Sequence, residues 1–262
     1  MSKTQKTKYL IKAIICLACL FSGCQALDQN QRKQAESLKN LGEAYLREGD
    51  FNSALRTLLE AQRLMPRDAY IQNDMGLAYL AKKRPGLAID HFKKAIRFKN
   101  EFADATNNLG IAYLESKNYL KAIQCFNSAL KNLIYATPHI PLANLGRVYL
   151  ALNEPGKAID YYQKALELVP DFAIAHRGLG EAFALKKNYR DAIDAFKTAI
   201  HLAPRFAEAH FELAKVYAKV QRHPEAVQHF HHAIRFSLSK GFRDAVQKEL
   251  DRTQPFKMDY RF

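Results

Sequence analysis

Tryptophan is absent from the 262 residues, and glycine (11) and proline (9) are scarce. That scarcity excludes collagen-like and low-complexity disordered chains, which need far more of both. Cysteine is rarer still in the body of the chain: Cys16, Cys19 and Cys24 crowd the start, and Cys125 stands alone. One internal thiol cannot close an internal disulfide, so cross-links take no part in the fold, and Cys125 reads as a small buried hydrophobe. Local catalytic signatures are missing too. No Gly-rich phosphate loop, H-E-x-x-H or G-x-S-x-G stretch occurs, so nothing marks a phosphate cradle, a zinc site or a serine nucleophile. No enzymatic activity and no cofactor are expected. His229, His231 and His232 cluster near the end, with His223 close by, and His229 and His232 share a helix face. No Cys or carboxylate completes a tetrahedral set at the usual spacing, so solvated histidines are expected there rather than a metal site.

Acidic residues are also under-represented, at 26 against 40 Lys and Arg, for a net charge of +14. Residues 1–23 contain four lysines (Lys3, Lys6, Lys8, Lys12) and no acid, and without them 36 basic residues still face 26 acidic ones. Such a balance favours nucleic acid, acidic partners or an anionic membrane surface. The aromatics are needed for the core described below, which leaves none to stack on bases, so no nucleic-acid partner is expected. Anionic lipid head groups account for the charge better.

No apolar run is long enough to span a bilayer. Ala13–Phe21 is short and bounded by Lys12, whereas a spanning helix needs about 20 apolar residues. A basic start, a short apolar block and the small residues Ser22-Gly23 before Cys24 have the layout of a secretory signal over 1–23. The stretch Leu20-Phe21-Ser22-Gly23-Cys24 resembles a bacterial lipobox, with Phe21 in a place where Leu is usual. The resemblance implies acylation of Cys24, several chains giving firm anchorage at roughly 0.8 kcal/mol per buried methylene. Gln25, not Asp, follows Cys24, which by the same resemblance implies a bacterial outer-membrane lipoprotein facing the periplasm. Residues 24–34 read as a polar tether.

What the chain has in abundance is an internal period. Small residues recur at Gly42, Gly76, Gly110, Gly146, Gly180 and Ala214, spaced 34, 34, 36, 34 and 34 apart. Three places after each stands an aromatic: Tyr45, Tyr79, Tyr113, Tyr149, Phe183, Tyr217. Twelve places after each comes an alanine (Ala54, Ala88, Ala122, Ala158, Ala192, Ala226), and seven further another (Ala61, Ala95, Ala129, Ala165, Ala199, Ala233). Each unit contains two apolar stretches of helical spacing, such as Leu38, Leu41, Tyr45 and then Ala54, Leu58, Ala61. Turn residues such as Gly49-Asp50, Pro85-Gly86 and Pro155-Gly156 separate the two, and Pro66, Pro170 and Pro204 end second helices. The small places let the two helices cross closely, and the aromatics fill the space beside them.

A 34-residue helix–turn–helix with this pattern resembles the tetratricopeptide repeat. The resemblance implies an all-α superhelix, an α-solenoid of six units over 35–240: 35–68, 69–102, 103–138, 139–172, 173–206 and 207–240. A unit cannot bury its own apolar face, so stacking stabilises it. The stripe Phe242, Ala245, Val246 and Leu250 predicts a capping helix over 242–252 within the closing segment 241–262.

By the same resemblance the first helices line a groove. Its places in the second and third units hold Tyr70, Asn73, Leu77, Leu80, Asn107, Ile111 and Leu114, with Arg147 in the fourth. Leu77, Leu80, Ile111 and Leu114 are apolar where solvent would be met. They form either a partner site for an extended or helical peptide or a surface closed by curvature of the rod. Arg177, Glu181, Phe211 and Lys215 make the later units more charged. Glu43 and Asp74 occupy places where the carboxylate clamp of co-chaperone repeats has Asn, which argues against that clamp. The two extra residues fall within Asn132–Pro138, and this segment, with its Asn132, Tyr135, Thr137 and Pro138, resembles the outer-membrane lipoproteins that support secretin assembly in type IV pili (the PilF, PilW and Tgl type). Six repeats behind a lipobox extend the resemblance. It implies a pilotin-like scaffold whose partner is a secretin subunit or another pilus assembly component. An adaptor lipoprotein for cell-wall enzymes or another envelope complex is the alternative reading.

Overall fold

The computed structural model describes residues 29–132 and 134–253. The signal segment, Cys24 and the tail from 254 lie outside them. All regular structure in the described residues is helical, and the chain forms two compact units, one ending at Ser116 and the other starting at Lys117. The division falls between the two helices of the third repeat.

The first unit contains α1 (29–48), α2 (Phe51–Leu64), α3 (Ala69–Ala81), α4 (Pro85–Phe98) and α5 (Ala103–Glu115). Helix α1 begins ahead of residue 35, so 29–34, expected as tether, belongs to its first turns. The core is built by the sequence period. Gly42 faces Leu58, and Gly76 faces Phe92, so closely that an added Cβ would lie 2.7 and 2.5 Å from the opposing side chain. Leu58, Ala61, Ile71 and Met75 are buried together, with Leu38, Leu46 and Tyr79 packed against them.

The second unit contains α6 (Tyr119–Leu130), α7 (His139–Ala151), α8 (Pro155–Leu168), α9 (Ala173–Leu185), α10 (Tyr189–Leu202), α11 (Ala207–Lys219), α12 (His223–Phe236) and α13 (Lys240–Thr253). Each helix packs on the next, and α7, α9, α11 and α13 also touch in series. Phe126, Tyr162, Phe196 and Phe230 have no more than 1% of their surface exposed. Full burial of such a ring contributes about 2–3 kcal/mol. Helix α13 buries Val246 and Leu250 against α11 and α12, closing the core as a cap.

The turn from first to second helix repeats the same backbone solution. Gly49, Lys83, Lys117, Asn153, Lys187 and Gln221 all have φ between +58° and +81°. The following N–H reaches back to the aromatic place, as from Arg84 to Tyr79 O (2.9 Å), Glu154 to Tyr149 O (2.8 Å) and Asn188 to Phe183 O (2.9 Å). This six-to-one bond closes the helix end and turns the chain sharply. Helices α2 and α6 start on Asp50 and Asn118, whose side chains accept from Ser53 N and Lys121 N. Helices α4, α8 and α12 carry proline in the first turn, and α10 starts on Asn188 without a side-chain cap bond. Helices α2, α8 and α10 stop two residues before Pro66, Pro170 and Pro204. Among the described residues, no helix is long and apolar enough to cross a membrane.

Candidate functional site

Seven of the expected groove residues fall in the first unit and Arg147 in the second. Tyr70, Asn73, Leu77 and Leu80 lie along α3, and Asn107, Ile111 and Leu114 along the adjacent α5. Leu77, Leu80, Ile111 and Leu114 are half-buried, and Tyr70 is 47% exposed. The two asparagines are not surface groups: Asn73 is 8% exposed and Asn107 4%. The sequence placed them on the groove by register alone. The close approach of first helices in neighbouring repeats turns that place inward. Asn108 Nδ2 donates to Asn73 Oδ1 (3.0 Å), and Asn73 Nδ2 donates to Asp74 Oδ1 (3.2 Å). A polar ladder therefore ties α5 to α3.

Beneath this ladder the first unit stores charge. Asp74 is 7% exposed, and its Oδ2 has no hydrogen-bond partner. Burial, and then the nearby charge of Glu43, push its carboxyl up to about 7. Lys39 Nζ donates to Glu43 Oε1 at 2.7 Å, so one cation serves two acids. Beside them Lys99 Nζ lies 4.5 Å from the Tyr70 ring centre and 4.6 Å from that of Phe102.

In the second unit α7, α9 and α11 carry Arg147, Arg177, Glu181, Glu212 and Lys215 on one wall. Arg147 Nη1 donates to Asn144 Oδ1 (3.2 Å). Arg177 Nη1 pairs with Glu181 Oε1, and Lys215 Nζ binds Glu212 Oε2 at 2.8 Å. Burial pushes the Glu181 carboxyl up, against the lowering charge of Arg177. Next to these charges a recess of about 310 Å³ opens.

Sequence reasoning missed two residues on this wall. In the sixth place of each repeat the chain carries Asn40, Asp74, Asn108, Asn144 and Glu212, but Gly178 in the fifth unit. Opposite the small crossing residue stand Leu58, Phe92, Phe126, Phe196 and Phe230, but Tyr162 in the fourth unit. The two exceptions touch. The signal was present as two departures from the period, visible only when every column of the repeat is compared.

The histidines near the end also differ from expectation. His229 is not solvated: it is half-buried, stacked on Tyr217 at 5.7 Å and on the buried His210 at 5.2 Å. His210 Nε2 lies 3.0 Å from the Pro204 carbonyl, which only accepts, so His210 carries its proton there. Its Nδ1 then accepts from His229 Nδ1 at 2.9 Å. Two neutral rings make this bond, and burial followed by the charges of His210 and His232 lowers His229 to about 4. His232 joins the stack through Phe236 (5.7 Å), while His231 is exposed. No group of three metal-binding side chains occurs among the described residues.

One tetratricopeptide repeat model matches residues 39–101, 144–200 and 186–237, and another matches 101–171. The chain belongs to the tetratricopeptide repeat family. Repeats of this family bind protein partners, and their helical fold is typically a non-enzymatic scaffold. Among curated proteins none matches the sequence. Solved structures share the fold. PilF of Pseudomonas aeruginosa is 20% identical with a TM-score of 0.65, over 84% of this chain and 99% of its own. PilW, a widely conserved type IV pilus biogenesis factor, is 21% identical with a TM-score of 0.69, over 81% of this chain and 98% of its own. MamA is 27% identical with a TM-score of 0.51, over 64% of this chain and 96% of its own.

Proposed function

We propose that this tetratricopeptide repeat protein is an outer-membrane lipoprotein that faces the periplasm, is anchored through Cys24, and supports assembly or stability of a secretin in type IV pilus biogenesis. One combination carries the reading: a lipobox-like Leu20–Cys24 segment stands ahead of six repeats, in a chain that matches PilF and PilW over nearly their whole lengths. The surplus of 36 basic over 26 acidic residues left once residues 1–23 are removed suits a scaffold held against anionic head groups. In this reading the half-buried Leu77, Leu80, Ile111 and Leu114, with exposed Tyr70, offer an apolar strip to a partner segment, and the exposed Ile134 of the inserted stretch adds a contact. Apolar anchors of this kind dominate the energy of protein interfaces.

The test is genetic and chemical. Deleting the gene should remove heat-resistant secretin multimers from the membrane fraction. Cys24→Ala, with the chain still exported, should have the same effect, and mass analysis of the mature N-terminus should show acylated Cys24. Multimers that persist unchanged in the deletion strain would refute the proposal.

A further inference from the structure

Tyr162 is 1% exposed, and its hydroxyl has no hydrogen-bond partner. Its ring is wedged between Gly146 of α7 and Gly178 of α9. A Cβ on Gly146 would lie 2.8 Å from the ring, and one on Gly178 would lie 2.2 Å from Cζ and 2.6 Å from the hydroxyl oxygen. Gly178 stands where the other five repeats carry Asn, Asp or Glu, so here the hydroxyl from the second helix replaces a polar group on the first. Burying a phenol without a partner is unfavourable, and phenylalanine fills the same place at 92, 126, 196 and 230. Packing alone gives no reason for the oxygen.

The charges that act on this phenol are those of Glu181, Arg177 and Arg147. Arg177 is also incompletely satisfied. Glu181 takes a single nitrogen, Nη1, while Nε is buried without a partner. A guanidinium is best met by a carboxylate on two nitrogens at once. Glu181 is a poor holder, because it is itself desolvated and lies near Glu212. The recess beside the pair has an apolar floor of Leu150, Ala184 and Val216, with Leu185 at 51% exposure and Lys215 and Lys219 on the rim. With Arg147 and Arg177, four cations on this wall outnumber Glu181 and Glu212. Glu212, the other carboxylate on this wall, accepts from Lys215 Nζ through both oxygens, at 2.9 and 2.8 Å.

We propose that the wall formed by α7, α9 and α11 docks an acidic segment of a partner polypeptide. A carboxylate of that segment displaces Glu181, takes two nitrogens of Arg177 and draws in the Tyr162 hydroxyl. Apolar neighbours of the acid settle on Leu150, Ala184 and Leu185. The inference rests on the scaffold reading above and deepens it by naming the chemistry of the partner: Asp or Glu alternating with aliphatic residues.

The test uses the purified full-length chain and a fluorescein-labelled nonapeptide of alternating Glu and Leu, followed by anisotropy. A Gln–Leu peptide of equal length is the control. The acidic peptide should bind at least ten times more tightly than the amide peptide, and salt should weaken it. Arg177→Gln should lower affinity about tenfold with the helical circular dichroism unchanged. Glu181→Gln should raise affinity several-fold by removing the internal competitor. Tyr162→Phe should lower affinity about threefold without lowering the melting temperature, a split that a merely structural tyrosine would not give. Equal binding of the two peptides, an Arg177→Gln chain that binds as before, or displacement of the peptide by oligoadenylate would each overturn the proposal. The two readings fail separately. Secretin multimers that need the protein but tolerate Arg177→Gln would sink this inference alone, whereas acidic-peptide binding in a protein dispensable for multimers would sink only the pilus role.

Discussion

Gly178 lies against the ring of Tyr162 so closely that a single added methyl would sit 2.2 Å from Cζ. No rotamer of a fully buried ring relieves that overlap, because Gly146 confines the same ring from α7. Gly178→Ala should therefore destabilise the second unit by about 1–3 kcal/mol, the usual cost of overpacking. Gly156, in the first turn of α8, has open space around its Cα. Gly156→Ala should be neutral or stabilising by up to about 1 kcal/mol through helix propensity. Chemical denaturation of the two variants checks the contrast, and a harmless Gly178→Ala would contradict the packing described.

Lys187 holds φ at +60° in an exposed turn, where an L side chain is strained. Replacing it with glycine removes strain of order 1–3 kcal/mol against an entropic cost of about 0.5–1 kcal/mol. Lys187→Gly should raise the unfolding free energy by about 1 kcal/mol, whereas Lys186→Gly, one residue earlier at an ordinary helix end, should lower it. Thermal melts of the two variants decide the matter.

The His210–His229 bond requires both rings neutral. His229 titrates at about 4 in the folded chain against an ordinary 6.5, and His210 is also lowered by burial. Below 6.5 the unfolded chain takes up protons that the folded one refuses, so stability is full above that value and declines as pH falls toward 4. Because His229 is only half-buried, solvent screening holds its share to roughly 1–2 kcal/mol. The melting temperature should drop between pH 7 and 4.5, and the slope should flatten in His229→Phe. An equal slope in that variant would exclude the pair as its source.

Asp74 works in the opposite direction. Its carboxyl titrates at about 7 in the fold against an ordinary 3.8, so between these values the folded chain holds a proton that the unfolded chain has lost. The contribution is fully present below the ordinary value and disappears as pH rises through 7. Asp74→Asn keeps the shape without the charge. It should stabilise the first unit by about 2–4 kcal/mol at pH 8 and by much less at pH 4, as read from melting temperatures at the two values. Equal gains at both would show that Asp74 is not desolvated as described.

Much of the fold was written locally. The period from Gly42 to Ala214 predicts where the first helices of the second to sixth repeats begin, though not α1, which starts at 29 rather than 35. It does so because a small residue at a crossing, an aromatic one turn later and an alanine on the second helix are near-obligatory for two helices in contact. The starts of α3, α5, α7, α9 and α11 fall at 69, 103, 139, 173 and 207, the same residues as the repeat boundaries. The cap over α13 was legible as a stripe with the same spacing, and the turns as breaks in it.

The site was legible only in part. Register places Asn73, Asn107 and Leu77 on one side of their helices, but burial depends on how near the neighbouring first helix comes, and that distance is a property of stacking. For the same reason the histidines looked solvated on α12 considered alone, and His229 became half-buried against a partner only because His210 arrives from α11. The sequence by itself determined the helices, their pairing and the small–aromatic crossings, since these arise from contacts between residues in fixed positions along a single repeat. Only the tertiary structure decided which polar groups lose water, Asp74, Tyr162 and His229 among them, because desolvation is set by atoms from other helices that no period in the chain encodes.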